Sequence, residues 1–459
     1  MRRRPRAITS LHRPRRPSRR CPRRRRGSVV VIVLWTIAIA ALLASSVQLF
    51  AYRQATLGRD ALHRAQARWA ARAGVENTIA MMAVHNESPI PDDAWAMIND
   101  LVFVSTYELH DAGYDILHHL DGRDLAGPVD EHSKMNVNGI DIEALAILED
   151  ITPDVLASIR DWRDEDDDPG MLGAESDWYV GQHDYEPRNG PLHSIAEMEL
   201  IAGIWGDYLR GEDWNLNQRK DPNEDDGDRT APDDEPDHFL ETGWSGWLTA
   251  HSVAGGATAS GLPRIYLRRA EPAELMDRCG VDQMQAEALI SFGKNDDNYL
   301  EQLITTPLAN IGAGGAIGNA PTDEQVTALT DAQLRSVLAE ASVLPLYLRA
   351  PGKVNLNTAS EFMIRDLLEL KGYPEEITDE IVYLRDSRPE GFTSILDLSD
   401  VPDLAPERLA DLATYFTTSG NVYTISSRGR SRVSGMEVEI IAVVDRSSLP
   451  IRILEYREQ

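Results

Sequence analysis

The chain has 459 residues, 42% hydrophobic and 26% charged, a balance that excludes a disordered polymer and leaves room for more than one domain. Its net charge is −28, but thirteen of its 46 basic residues are arginines in the first 26 positions, so the rest of the chain sets 33 bases against 74 acids, about −41. That excess repels phosphate backbones and nominates cations as partners, and two cysteines, Cys21 and Cys279, build neither a disulfide framework nor a thiolate metal site.

An arginine block ending Arg23-Arg24-Arg25-Arg26 is followed by Gly27 and then by 23 uncharged residues, Ser28 to Phe50. A helix of that length rises about 34 Å, enough for a bilayer core of about 30 Å. The arginines hold their side in the cytoplasm, which sends everything after Phe50 to the far side. A secretory signal peptide has a shorter apolar run with its cleavage site behind it; here Gly27 stands in front. Helical periodicity continues over 51–85, with Leu57, Ala61, Ala65, Trp69, Ala73 and Ile79 near one face. Arg53, Arg59, Arg64, Arg68 and Arg72 lie elsewhere on that helix.

Residues 86–132 read as short strands, around Phe103–Leu109 and Tyr114–Leu120. A phrase then opens the segment 133–210: Lys134-Met135-Asn136-Val137-Asn138, followed by Asp141-Ile142-Glu143-Ala144-Leu145. It recurs in 351–420 as Lys353-Val354-Asn355-Leu356-Asn357, followed by Thr358-Ala359-Ser360-Glu361-Phe362. A weaker copy in 263–350, Arg264-Ile265-Tyr266-Leu267-Arg268, has lost both asparagines. The phrase predicts a short strand whose alternate Asn side chains cap the turn into a helix started by Thr, Ser or Asp. Downstream, Ile159–Asp164 aligns with Ile381–Asp386, and Ser194-Ile195 with Ser394-Ile395. In 421–459, Tyr423–Arg428 and Glu437–Asp445 alternate as paired strands around Arg430–Gly435, and Ile451–Tyr456 reads as a last strand.

Two acidic loops offer hard oxygens. In the first, Asp164, Asp166 and Asp168 are followed by Glu175 and Asp177, a set that suits Ca²⁺, with its six to eight oxygen ligands, better than Mg²⁺. The second lies in 211–262, otherwise an acidic linker, where Asp221, Asn223 and Asp225 stand at positions one, three and five as in an EF-hand loop and Asp228 is a further candidate ligand. There Gly227 is one place late, Pro222 is atypical and no clear Glu closes the loop. No His-Glu-x-x-His pattern, phosphate loop, nucleophile elbow or Cys-His pairing is found, so no enzyme is expected.

The basic leader, Gly27 and the span together resemble the type III signal cut by prepilin peptidase, which implies cleavage between Gly27 and Ser28. The stretch Gln66–Glu76 resembles the end of the long pilin helix. Pilin-like proteins usually carry Glu at the fifth mature position, which here is Ile32; the K-type minor pseudopilin of type II secretion shares that departure. The repeated units resemble helix-hairpin-helix units, and this supports an alternative reading, a membrane-anchored DNA-binding or uptake protein. DNA-binding versions use a Gly-hydrophobic-Gly turn, whereas Leu370-Lys371-Gly372-Tyr373-Pro374 has one Gly and Glu149-Asp150-Ile151-Thr152-Pro153 has none. From Arg26 to the C-terminus the chain resembles the protein K family of the type II secretion system. The resemblance implies an α+β fold: a transmembrane pilin helix and a small antiparallel β-sheet domain, with a large, mainly α-helical insertion of helix-hairpin-helix-like (SAM-like) repeats. It implies a tip subunit of the pseudopilus, in the inner membrane with its C-terminal domain in the periplasm. The implied partners are I-type and J-type minor pseudopilins, other pseudopilins, prepilin peptidase and the inner-membrane assembly platform, with nucleic acid not expected. Gly173-Ala174-Glu175-Ser176-Asp177 is similar to the family's Gly-Ala-Glu-Asp phrase near bound calcium, with Ser176 inserted.

Overall fold

The computed structural model describes residues 28–459 except 228, 233, 256, 257, 259, 318–325, 346, 347 and 403. The chain divides into two units, Met1–Leu62 and His63–Gln459. A single helix, Ser28–Glu87, contributes its residues up to Leu62 to the first unit and those from His63 to the second. In the first unit its side chains, apolar to Phe50, are exposed. It is the one helix among the described residues long and apolar enough to cross a membrane, and it fits a single-pass anchor.

In the second unit, the helix packs through His63, Ala67, Ala70, Ala71, Gly74, Val75, Thr78 and Met82. The expected apolar stripe is not this face: Trp69 is 64% exposed, Ala65 is exposed, and Ala73 and Ile79 are only half-buried. The reason is steric. The helix lies so close to the sheet that a Cβ on Gly429 would meet the backbone of Ala67 and Ala71, and one on Gly74 would meet Ser427 and Tyr114. Small residues are therefore what the contact needs, and Trp69 could not enter it.

The antiparallel sheet runs Thr106–Glu108, Ala112–Leu120, Val422–Ser431, Glu437–Asp445, Arg452–Glu458 in spatial order. Arg123–Ala126 adds to the second of these and Val129–Asp130 to the third. Its core joins Tyr114, Ile116, Ile425, Ile440, Ala442 and Val444 to Ala70, Ala71, Val75 and Met82 of the helix. The three C-terminal strands fall where the alternation placed them, with Val422 opposite Asp445 and Arg430 opposite Glu437. The first expected strand is shorter: Phe103 belongs to a helix, Ala96–Val104.

Everything between Asp130 and Val422 is inserted between neighbouring strands, and it contains three copies of one arrangement. Each phrase forms a two-residue strand paired in parallel with the end of its own segment: Met135-Asn136 with Leu248-Thr249, Ile265-Tyr266 with Ala341-Ser342, and Val354-Asn355 with Phe416-Thr417. Two helical elements follow each phrase. They are a 3₁₀ turn Ile142–Ile147 and helix Pro153–Arg163, then Pro272–Cys279 and Gln283–Phe292, then Glu361–Leu370 and Glu375–Ser387. The turns between them hold Asp150, Gly280 and Gly372 at positive φ (+60°, +63° and +77°). The first and third copies share one core, and the second has its own around Leu267, Leu275, Leu289 and Phe292. The segment expected to be a linker closes the first copy, since Trp244 and Leu248 enter that shared core.

The asparagines act differently from expected. Asn136 and Asn355 each accept the N–H two residues on, from Asn138 (2.9 Å) and Asn357 (3.1 Å). Asn138 and Asn357 do not cap a helix but clamp a distant loop. Asn138 accepts from Leu192 N (2.8 Å) and donates to Leu192 O (2.9 Å), and Asn357 does the same with Phe392 N and O (both 2.9 Å). The cap of the third copy is Ser360, whose hydroxyl accepts from Met363 N at 3.1 Å. Asp130 ties this copy to the sheet: buried, it accepts from Asn355 Nδ2 and Thr358 Oγ1, each at 2.8 Å.

Candidate metal centre

The helix Pro153–Arg163 buries Asp161 near its C-terminal end, and the chain leaves that helix at Asp164. It turns through Gly170 and Gly173 and enters a second helix, Ser176–His183, from Glu175. Asp161 organises this path. Its Oδ2 accepts from Gly170 N at 3.0 Å, and a Cβ on Gly173 would sit on the same oxygen, so glycine lets the loop return this close.

Carboxylate oxygens of Asp161, Asp164 and Glu175 lie within 4.8 Å of one another. Three of these oxygens, Asp164 Oδ1 and both of Glu175, are buried without a hydrogen-bond partner, and Glu175 is 3% exposed. Leaving a buried acceptor unsatisfied costs about 1–3 kcal/mol, more for a charged group. Here three acidic side chains repel each other as well. Burial, and next the charge of Asp161 and Asp164, push the Glu175 carboxyl up to about 7. Burial and Asp166 also raise Asp164. An all-oxygen set with spare lone pairs fits a hard divalent cation, and one such ion would remove both the repulsion and the orphaned acceptors.

The sequence-predicted set divides. Asp164 and Glu175 converge. Asp166, Asp168 and Asp177 are exposed, and Asp166 instead accepts from Asp168 N at 2.9 Å. Asp161 was not among the predicted ligands, although its spacing three residues before Asp164 puts both on one helix face.

The second loop is built on other contacts. Asp221 pairs with Arg428 and accepts from Asn215 Nδ2 (2.9 Å) and Asn217 Nδ2 (3.2 Å). Asn223 donates to Ala231 O at 3.2 Å, and Asp225 binds His238 Nδ1 at 2.7 Å and Lys220 Nζ at 3.1 Å. These three side chains therefore serve separate partners, and among the described residues no three His, Asp or Glu ligand atoms converge there within 4.8 Å as they do in the first loop. Asp228 and Gly27 lie outside the described residues; Ser28 starts the first helix.

Residues 142–210, which contain the Asp161–Glu175 cluster, match the family model described as type II secretion system (T2SS), protein K. Type II secretion system protein K of Klebsiella pneumoniae is 27% identical over 207 residues, 39% of this chain and 59% of that protein. Over these residues the chain is similar to the protein K family. It spans about three-fifths of the length of that curated relative. A solved structure, the GspK-GspI-GspJ complex of the enterotoxigenic Escherichia coli type 2 secretion system, is similar at 11% identity and a TM-score of 0.45, over 88% of this chain and 99% of that one. The match falls on the segment that builds the cluster, so Asp161, Asp164 and Glu175 lie within the residues similar to that family.

Proposed function

We propose that this chain is a minor pseudopilin of K type at the tip of the type II secretion pseudopilus, where it starts assembly and supports export across the outer membrane. The observation that carries this reading is the pairing of a pilin-like helix with a sheet opened by an insertion of roughly 290 residues, 131 to 421. A head of that bulk leaves no room for repetition along a tightly packed filament. Ile32 supports the same place, since a carboxylate in the bilayer is costly without a neighbour to pair with, and a terminal subunit lacks one. On this reading the helix is a single pass through the inner membrane with the C-terminal domain in the periplasm. Prepilin peptidase cuts before Ser28, and the partners are I-type and J-type minor pseudopilins, other pseudopilins and the assembly platform. The role is structural rather than catalytic.

Calcium is the proposed ion of the centre, held by Asp161, Asp164 and Glu175 and completed by backbone carbonyls or water. The experiment is to isolate the protein from native membranes and sequence its N-terminus while identifying what copurifies. Mature protein beginning at Ser28, with I-type and J-type subunits attached, is expected. An intact arginine block, or a chain with neither partner, would sink the proposal.

A further inference from the structure

Between the Asp164 and Glu175 carboxylates, the loop carries two apolar side chains at its apex. Met171 is 91% exposed and Leu172 is 65% exposed. Leu172 also sits at φ +71°, a left-handed backbone state that L side chains adopt at a cost. Both sides of the pair are fixed by the same carboxylate, because Gly170 donates to Asp161 and Gly173 packs on it. The apex and the cation cluster are thus one piece of architecture, and whatever fills the cluster also sets the apex.

We propose that Met171 and Leu172 form a cation-ordered prong that inserts into an apolar pocket rimmed by lysine and arginine on a partner protein. The proposal rests on the reading of Asp161, Asp164 and Glu175 as a cation site and adds what that site is for. Charge decides the occupant. Between Asp161 and Asp177 stand eight acidic residues and one arginine, so a bound divalent cation still leaves five negative charges in excess around the prong. Asp166, Asp167 and Asp168 are exposed beside it. An anionic bilayer is repelled by such a loop, and two side chains bury too little to overcome that repulsion. A protein pocket encloses both side chains, and a basic rim matches the acidic collar, which speeds encounter and rejects other surfaces.

The test uses the full chain in its native membrane. Pro169→Cys is labelled with a membrane-impermeant photoactivatable maleimide; Cys279 is buried and stays unlabelled. With calcium present, light should join the loop to one protein, through a peptide in which lysine or arginine flanks apolar residues. Adding Met171→Ser and Leu172→Ser should lower the yield roughly tenfold or more, the effect of losing two buried apolar side chains, while terbium binding to the loop is kept. Asp161→Asn with Glu175→Gln should lower yield and terbium binding together. Crosslinks to phospholipid, a partner peptide without bases, no crosslink, or a yield indifferent to the two serines would each overturn the prong. Absence of terbium binding in the wild type would instead remove the cation site, so the two failures are told apart.

Discussion

Glu175 and Glu224 are both buried acids raised by burial, and they make opposite predictions. Glu175 has no hydrogen-bond donor on either oxygen, so an ion is the partner expected for it. Glu175→Gln should therefore weaken calcium binding by roughly tenfold or more, because affinity follows the number of charged ligands; calorimetry that finds equal affinity would remove Glu175 from the site. Glu224 already has its donors, Asp221 N at 2.9 Å and Trp214 N at 3.2 Å. Burial pushes it up to about 8 from an ordinary 4.5. Across that window the folded chain keeps a proton that the unfolded chain has released, so stability falls as pH rises from about 4.5 to 8. Glu224→Gln should flatten that part of the curve of melting temperature against pH, and an unchanged slope would show that another group sets it. Of these residues, Asp164 and Glu175 were legible because they stand in or just beyond a run of acids. Asp161 opens the same acidic stretch but falls outside the predicted ligand set, since alternate spacing is counted from Asp164. Nor could the sequence show that Asp166, Asp168 and Asp177 face solvent: spacing gives candidate ligands, and burial chooses among them.

Among the elements, the repeated phrase was legible as a repeat but not as a clamp. Its partners, Leu248-Thr249, Ala341-Ser342 and Phe416-Thr417, share only an apolar residue followed by Thr or Ser, too common a pair to announce the parallel pairing. Asn357→Ala leaves the buried Phe392 N–H and C=O and the Thr418 C=O without their partner. A loss of about 2–4 kcal/mol is expected in urea unfolding, from the cost of each unsatisfied group; a change under about 0.5 kcal/mol would mean water takes over. The second copy shows how the clamp can be lost. There Gly293 packs directly on Leu267, and Asn298, further along, bonds Phe292 O (2.9 Å) and Gly315 O (2.8 Å). The C-terminal strands were the most legible elements, since β-branched and apolar residues run through them between turn signals, although burial is nearly continuous along Val422–Ser431 and Glu437–Asp445 rather than alternating. The packing face of the long helix was the least legible. Alanine counts as weakly apolar wherever it stands, and only contact with the sheet shows that Ala67, Ala70, Ala71 and Gly74 are the inner row.

At the scale of the molecule, the insertion sets an order of events in time. Ile116 pairs with Ser427, 311 positions later, whereas the ladders of the three copies close over 113, 76 and 62 positions. Closing the longest loop costs about 1.4 kcal/mol more than closing the shortest, and non-local pairing is slow as well. The helical copies should therefore mature first and shorten the tether between the two halves of the sheet. Pulsed hydrogen exchange during refolding should protect 153–163 and 361–387 before 112–120; simultaneous protection would argue against this order. A chain that emerges from its N-terminus thus carries the Ala112–Leu120 strand with the edge that will meet Val422–Ser431 bare until nearly all of it has been made. During that interval the strand can pair wrongly with a neighbouring nascent chain, so the risk of aggregation lies in the delay rather than in the finished fold.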